Sequence, residues 1–422
     1  MKAATIARDL STNAVTRSAG ALMTSTLVTA VLGFGFWSVA AWSAPAVAVG
    51  RAGAATALMA LLGSVATGGF DALLIGELSR RPADRRVLVV RALVTTAAMS
   101  AILATVVVAA LRAWAPSALA IVDDGASAAL VVGGTVTATM AQVVDAVSVG
   151  AHRASLQLRR AAVASSVKLA ALGVISLTLD MTAVWIFGAW VFGTIVSGVV
   201  PLFAWPRQRA LVRRHRRVLS GLWGLAIGHH AMNLSGQISM NVLPLIVAAV
   251  LGDEANAVFY LAIQVATFAW LAPVHLATAL FAQSSTDVTR IEGERRLVLT
   301  ISAVVGGVVA ITSFTIGPSL LGVFGPEYRD AALPIGILAS AALPLGQMGL
   351  FMTTCRVVGR LRLGALVLLV ESLSQLIVGA VLCRAGVVWL AVGVAVPTWL
   401  VAAYTVRRLE PTVRARLPVA AT

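Results

Sequence analysis

Residues 228–241 read GHHAMNLSGQISMN inside a chain built mostly of Ala, Val, Leu and Gly. His230, Asn233, Gln237 and Asn241 recur at helical spacing. At about 100° per residue they fall within an arc of about 80° on one helix face. Amides and an imidazole can hydrogen-bond hydroxyl groups without locking them by charge. Left unpaired in hydrocarbon, each such group costs several kcal/mol, so this face does not meet lipid. It either lines a hydrophilic cavity or bonds neighbouring helices. His229 projects to one side of the stripe, because adjacent residues on a helix diverge, so no metal site is expected there.

Other positions carry chemistry of a different kind. Tyr260 and Gln264 lie one turn apart, followed by Thr267 and Trp270; they face the same cavity, or the aromatics anchor a membrane interface. Arg17 and Asp71 are equally distant from the turn at residue 44 and so share one depth. They form a buried ion pair, or Arg17 meets an anionic headgroup, since its fork matches phosphate oxygens. Lys168 and Glu371 occupy matching places in the two halves of the chain. Intramembrane ionisable groups are functional candidates by default. The two pair with one another, or each lines its own half, or Lys168 snorkels to the surface. Gln142 and Asp145 share the cavity or sit in solvent near a helix end.

The elements that must hold these groups are read from hydropathy. Of 422 residues, 59% are hydrophobic and only 12% are charged. A soluble domain has about a quarter of its residues charged. Pro, Gly and charge clusters divide the chain into twelve apolar segments: 16–42, 48–75, 89–111, 127–150, 161–180, 184–205, 220–250, 256–283, 297–317, 331–354, 363–382 and 387–406. Each is long enough to cross a bilayer. The first runs straight into the second and is too long for a signal-peptide core, so it is read as a retained helix.

The net charge of +15 raises nucleic-acid binding as a class, and the placement of the charges excludes it. All 32 Lys and Arg except Arg51, Arg112, Arg329 and Arg384 fall on one side of the predicted topology. That side is cytoplasmic and holds both termini. PAVAVGRA at 45–52 aligns with EANAVFYLA at 254–262, and AVWIF at 183–187 with VVWLA at 387–391. The pattern is six spans repeated twice: an N-terminal lobe at 1–206, a basic linker at 207–219, a C-terminal lobe at 220–410 and a tail at 411–422. Parallel repeats of this kind place a binding site at the repeat interface.

Several chemistries are not expected. There is no G-x-x-x-x-G-K-[ST] loop, and Cys355 and Cys383 form no metal pattern, so no cofactor is predicted. The outer loops SAPA (43–46), LDMT (179–182), GDEA (252–255) and CRAG (383–386) leave no room for an external catalytic domain, so an enzyme is not expected.

SAGALMTSTLVTAVLGFGFWSVAAWSAPAVAVG (18–50), LLGSVATGGFDALLIGELSRR (61–81) and EANAVFYLAIQVATFAWLAPVHLATALF (254–281) together resemble the polysaccharide exporters, or O-antigen-type lipid-linked oligosaccharide flippases. That family belongs to the multidrug/oligosaccharidyl-lipid/polysaccharide (MOP) superfamily. The resemblance implies an all-α polytopic membrane protein with about twelve helices, in two six-helix pseudo-symmetric lobes around a central cavity. It implies a transporter of the bacterial cytoplasmic membrane that flips a polyprenyl-diphosphate-linked oligosaccharide, working among membrane lipids and polysaccharide assembly proteins. On that reading Arg17 and Lys168 meet the diphosphate, while the stripe and Tyr260–Gln264 meet the sugars. The alternative is an ion-coupled multidrug antiporter of the same fold. That activity needs an embedded carboxylate, and Glu371 is the one deep candidate.

Overall fold

The computed structural model describes residues 14–78, 85–114, 125–151, 153–200, 230–231, 233–284 and 289–414. Every element among them is helical. In chain order they are α1 (Ala14–Ser43), α2 (Ala46–Ala66), α3 (Phe70–Glu77), α4 (Arg85–Trp114), α5 (Gly125–Gly150), α6 (Ala154–Thr178), α7 (Ala183–Ser197), α8 (Ile238–Val250), α9 (Asp253–Ser284), α10 (Thr289–Thr315), α11 (Gly317–Leu321), a 3₁₀ turn at Pro326–Ala331, α12 (Ala332–Ala339), α13 (Ala342–Val358), α14 (Leu361–Cys383) and α15 (Val387–Arg414).

Ten helical stretches among the described residues are long and apolar enough to cross a bilayer, and Val28–Ser43 and Ala183–Ser197 are shorter apolar helices. One falls in each of the twelve predicted segments. The chain is an all-α, multi-pass membrane protein. The basic linker, the extreme termini, His229 and the first part of the seventh segment lie outside the described residues.

Three predicted spans are not single helices. The second breaks at Thr67–Gly69, where Gly68 and Gly69 take φ of +53° and +84°. Side chains resist that left-handed region, so the glycine pair lets α2 end and α3 restart. The seventh is interrupted at Gly236–Gln237, and α8 begins only at Ile238. The tenth is α12 followed by α13.

The described residues fall into two compact units, one from 1–40, 59–116 and 120–230, the other from 41–58 and 231–422. In the first, Phe70, Leu74 and Leu78 of α3 pack on Leu88 and Ala92 of α4 and on Val143, Ala146 and Val147 of α5. Three helices are pinned at one polar knot. Arg160 of α6 grips both carboxylate oxygens of Asp145 on α5, with Nε donating to Oδ1 at 2.6 Å, and its Nη1 donates to Ser197 Oγ of α7 at 3.1 Å. Asp145 is therefore neither a cavity group nor a solvated one; a neighbouring helix supplies its counter-charge.

The second unit is close-packed on small residues. Ala269, Ala310, Ala339 and Ala342 cluster between α9, α10, α12 and α13. Phe351 and Cys355 of α13 meet Val367 of α14 and Leu409 of α15. The segment 41–58 joins this unit tightly. Arg51 Nε donates to Asp253 Oδ2 at 2.7 Å, and the buried Asn256 donates to the Gly50 carbonyl at 2.8 Å. A Cβ on Gly50 would collide with the Asp253 carbonyl, and one on Gly53 would lie 2.9 Å from the Tyr260 ring. Gly50 and Gly53 thus lie on the contact face of a helix. Small residues are what allow two backbones in lipid to touch.

Candidate functional site

Lys168 stands mid-way along α6 and is 8% exposed. Its Nζ lies 3.2 Å from the centroid of the Trp190 ring and 5.8 Å from that of Phe36. Trp190 comes from α7 and Phe36 from α1. The two rings meet edge to face, with centroids 5.2 Å apart and planes at 79°, and Trp37 packs on both. Gly193 fixes this arrangement. A Cβ at that position would lie 2.8 Å from Lys168 Cβ, so only glycine lets α7 press flat against α6. Trp190, one turn earlier on α7, is thereby carried over the ammonium. The snorkelling alternative does not occur, because the ammonium is held against the ring.

Among the described residues no carboxylate pairs with Lys168. A desolvated cation over an aromatic face gains about 2 kcal/mol. Taking an ammonium out of water costs several kcal/mol even after relaxation. The rings therefore offset only part of that penalty, and Lys168 remains an undercompensated positive charge. Arg160, two turns earlier on the same helix, makes the contrast plain, since Asp145 fully matches it.

Glu371 lies on α14 and is 6% exposed. Gln375, one turn on, donates through Nε2 to Glu371 Oε1 at 3.2 Å and to Thr398 Oγ1 of α15 at 2.8 Å. The hydroxyl of Ser372, the next residue on α14, bonds the carbonyl of Ser235 just before α8. Lys168 and Glu371 each make these contacts within their own unit.

The polar stripe is rearranged by the turn at Gly236–Gln237. An arc reckoned on one continuous helix does not hold across it, because the turn resets the angular register. Asn233 and Gln237 are exposed, and His230 and Asn241 are half-buried. The Asn241 side chain donates to the Gln237 carbonyl at 2.9 Å, an acceptor that also takes the Asn241 backbone N–H at 3.3 Å. Tyr260 and Gln264 are half-buried on α9. Trp270, expected beside them, is instead a tie to α12, its Nε1 donating to the Leu338 carbonyl at 2.9 Å. Asp71 is half-buried in the first turn of α3, with Oδ1 buried and without a hydrogen-bond partner among the described residues. Arg17 lies on α1 and its side chain is outside the described residues, as is the expected pairing with Asp71. A pocket of about 760 Å³ is lined by Glu254, Glu327, Arg329 and Asp330 among others, and none of the predicted site residues lines it.

Comparison with known proteins adds the fold. No family model matches the chain, and no curated protein does. Solved structures do. A multidrug resistance MATE family transporter of the MOP superfamily, in an inward-facing conformation, matches with a TM-score of 0.74 at 12% identity, over 94% of this chain and 100% of that one. Such a transporter in an outward-facing conformation gives a TM-score of 0.62 at 13% identity, over 95% and 96%. A MOP superfamily transporter from Pyrococcus furiosus, described as having a binding pocket of reverse polarity that suggests a different function, gives 0.66 at 13% identity, over 95% and 96%. This chain shares the fold of these solved structures. At such identities the likeness carries the fold and no cargo.

Within that fold, the residues that sequence reasoning missed are the partners supplied by other helices. Phe36, Trp37 and Trp190 read as ordinary apolar positions. Gln375 was findable, because it stands one turn from Glu371 on a helix and so shares its face. Arg160 was read only as part of a basic loop.

Proposed function

We propose that this chain flips a polyprenyl-diphosphate-linked oligosaccharide, a precursor of a cell-envelope polysaccharide, from the inner to the outer leaflet of the bacterial cytoplasmic membrane. It works by alternating access, with both termini cytoplasmic, and as a transporter, not an enzyme. The observation that carries this reading is Lys168, a buried cation without a carboxylate partner among the described residues. An anionic headgroup completes its compensation, whereas a cationic drug is repelled. Two like charges about 4 Å apart repel by about 4 kcal/mol at an effective dielectric constant of about 20. Arg17 adds positive charge toward the cytoplasmic end. The exposed amides of Asn233 and Gln237 suit sugar hydroxyls. In the leaflet, membrane lipids surround the cargo tail, and envelope assembly proteins receive the product.

The test is a deletion strain in which lipid-linked oligosaccharide is quantified on each leaflet together with surface polymer. Trapping of substrate on the cytoplasmic leaflet, reversed by the wild-type chain and not by Lys168→Met, is the expected result. A normal leaflet distribution in the deletion strain would sink the reading.

A second reading is an ion-coupled multidrug antiporter. It is favoured by the buried Glu371, a candidate coupling carboxylate, and by the likeness in fold to MATE family transporters. If it holds, expression raises resistance to cationic dyes and Glu371→Gln abolishes that rise.

A further inference from the structure

We infer that Trp190 and Phe36 form an aromatic cation cage whose occupant is the chain's own Lys168, and that this tethered ammonium keeps organic cations out of the first unit. Trp190 offers its face at 3.2 Å from Nζ and Phe36 stands at 5.8 Å. Phe36 and Trp37 are 0% and 2% exposed, so the wall behind Trp190 is fixed by packing. Gly193 sets the depth to which Lys168 enters. Ring faces attract an ammonium through their quadrupole whichever molecule carries it, and cages of this composition recognise alkylated ammonium ligands. A side chain anchored on the adjacent helix is present at a high effective concentration, so a dissolved cation competes poorly. The cage and the cargo reading share Lys168. The inference rests on that reading only for its consequence, that the sign of the cargo is set by filling an aromatic site from within.

The site left by removing Lys168 beyond Cβ has the length and charge preference of an alkylammonium ion. Lys168 is therefore a specificity residue, and its loss creates a binding site instead of merely emptying one. Lys168→Met separates charge from volume, since it refills the cage with a neutral chain of similar length.

The experiment uses the full-length protein purified in detergent and titrated with n-butylammonium chloride, read by tryptophan fluorescence and calorimetry, with n-butanol as the neutral control. Lys168→Ala is expected to bind n-butylammonium about tenfold or more tightly than wild type. Lys168→Met should behave as wild type, and Lys168→Ala with Trp190→Leu should lose the gain. Lys168→Ser replaces the alanine variant if that one fails to assemble as a monodisperse species. Equal binding by wild type and Lys168→Ala, no gain in a well-assembled variant, or a gain that survives Trp190→Leu each overturns the cage. Binding by Lys168→Ala alongside an undisturbed leaflet distribution in the deletion strain would retain the cage and overturn the cargo reading.

Discussion

Lys168 in the first unit and Glu371 in the second are both buried ionisable groups, yet their surroundings solve opposite problems. Lys168 is met by two aromatic rings and, among the described residues, no counter-charge. Glu371 is met by an amide that also holds a hydroxyl on the next helix. A ring face tolerates a cation without neutralising it, and so leaves it free to attract an anion. An amide–hydroxyl chain suits a carboxylate in either protonation state, because Gln375 can present a donor or an acceptor. The two positions thus differ in kind, a cation against ring faces in one unit and a polar network in the other. The same fold can carry different cargo because these few positions, not the helices, hold the chemistry.

The contrast breaks first at the compensated charge on α6. Asp145→Ala strands Arg160 in a buried site and should lower stability by about 3 kcal/mol or more, seen as an earlier thermal transition in detergent. Asp145→Leu combined with Arg160→Leu should recover most of it. Lys168→Glu sets a carboxylate against the negative ring face, and a loss of about 3 kcal/mol is expected in the same measurement. Gln375→Leu leaves Glu371 and Thr398 without their shared donor and should cost about 1–3 kcal/mol. Lys168→Met should change stability by less than about 1 kcal/mol, because a buried charge is exchanged for an isosteric apolar chain, while export falls at least tenfold. If export survives that substitution, Lys168 is packing and nothing more. Asn233→Leu with Gln237→Leu should be the mildest for the fold, within about 0.5 kcal/mol since both are exposed, and should still abolish export. Unchanged export would make the stripe a helix-packing feature.

The twelve spans were legible because lipid imposes a one-dimensional rule: about 20 apolar residues, with every backbone group bonded within the segment. The interruption at Gly236–Gln237 was not. A glycine inside an apolar stretch is compatible with either a continuous or a broken helix, and packing between α8 and α14, through Ser235 and Ser372, belongs to the broken one. Trp270 likewise read as a cavity residue until the Leu338 carbonyl of α12 appeared beside it.

What the sequence determined by itself is the number of crossings, the basic asymmetry of the loops and the list of polar residues that hydrocarbon would penalise. What only the tertiary structure decided is the partner of each. Asp145 went to Arg160, Glu371 to Gln375, and Lys168 to a ring of tryptophan. The physical reason is that hydropathy sums along one helix, whereas compensation of a buried charge depends on the facing side chain of another. That facing residue is fixed by where a glycine such as Gly193 allows two backbones to touch.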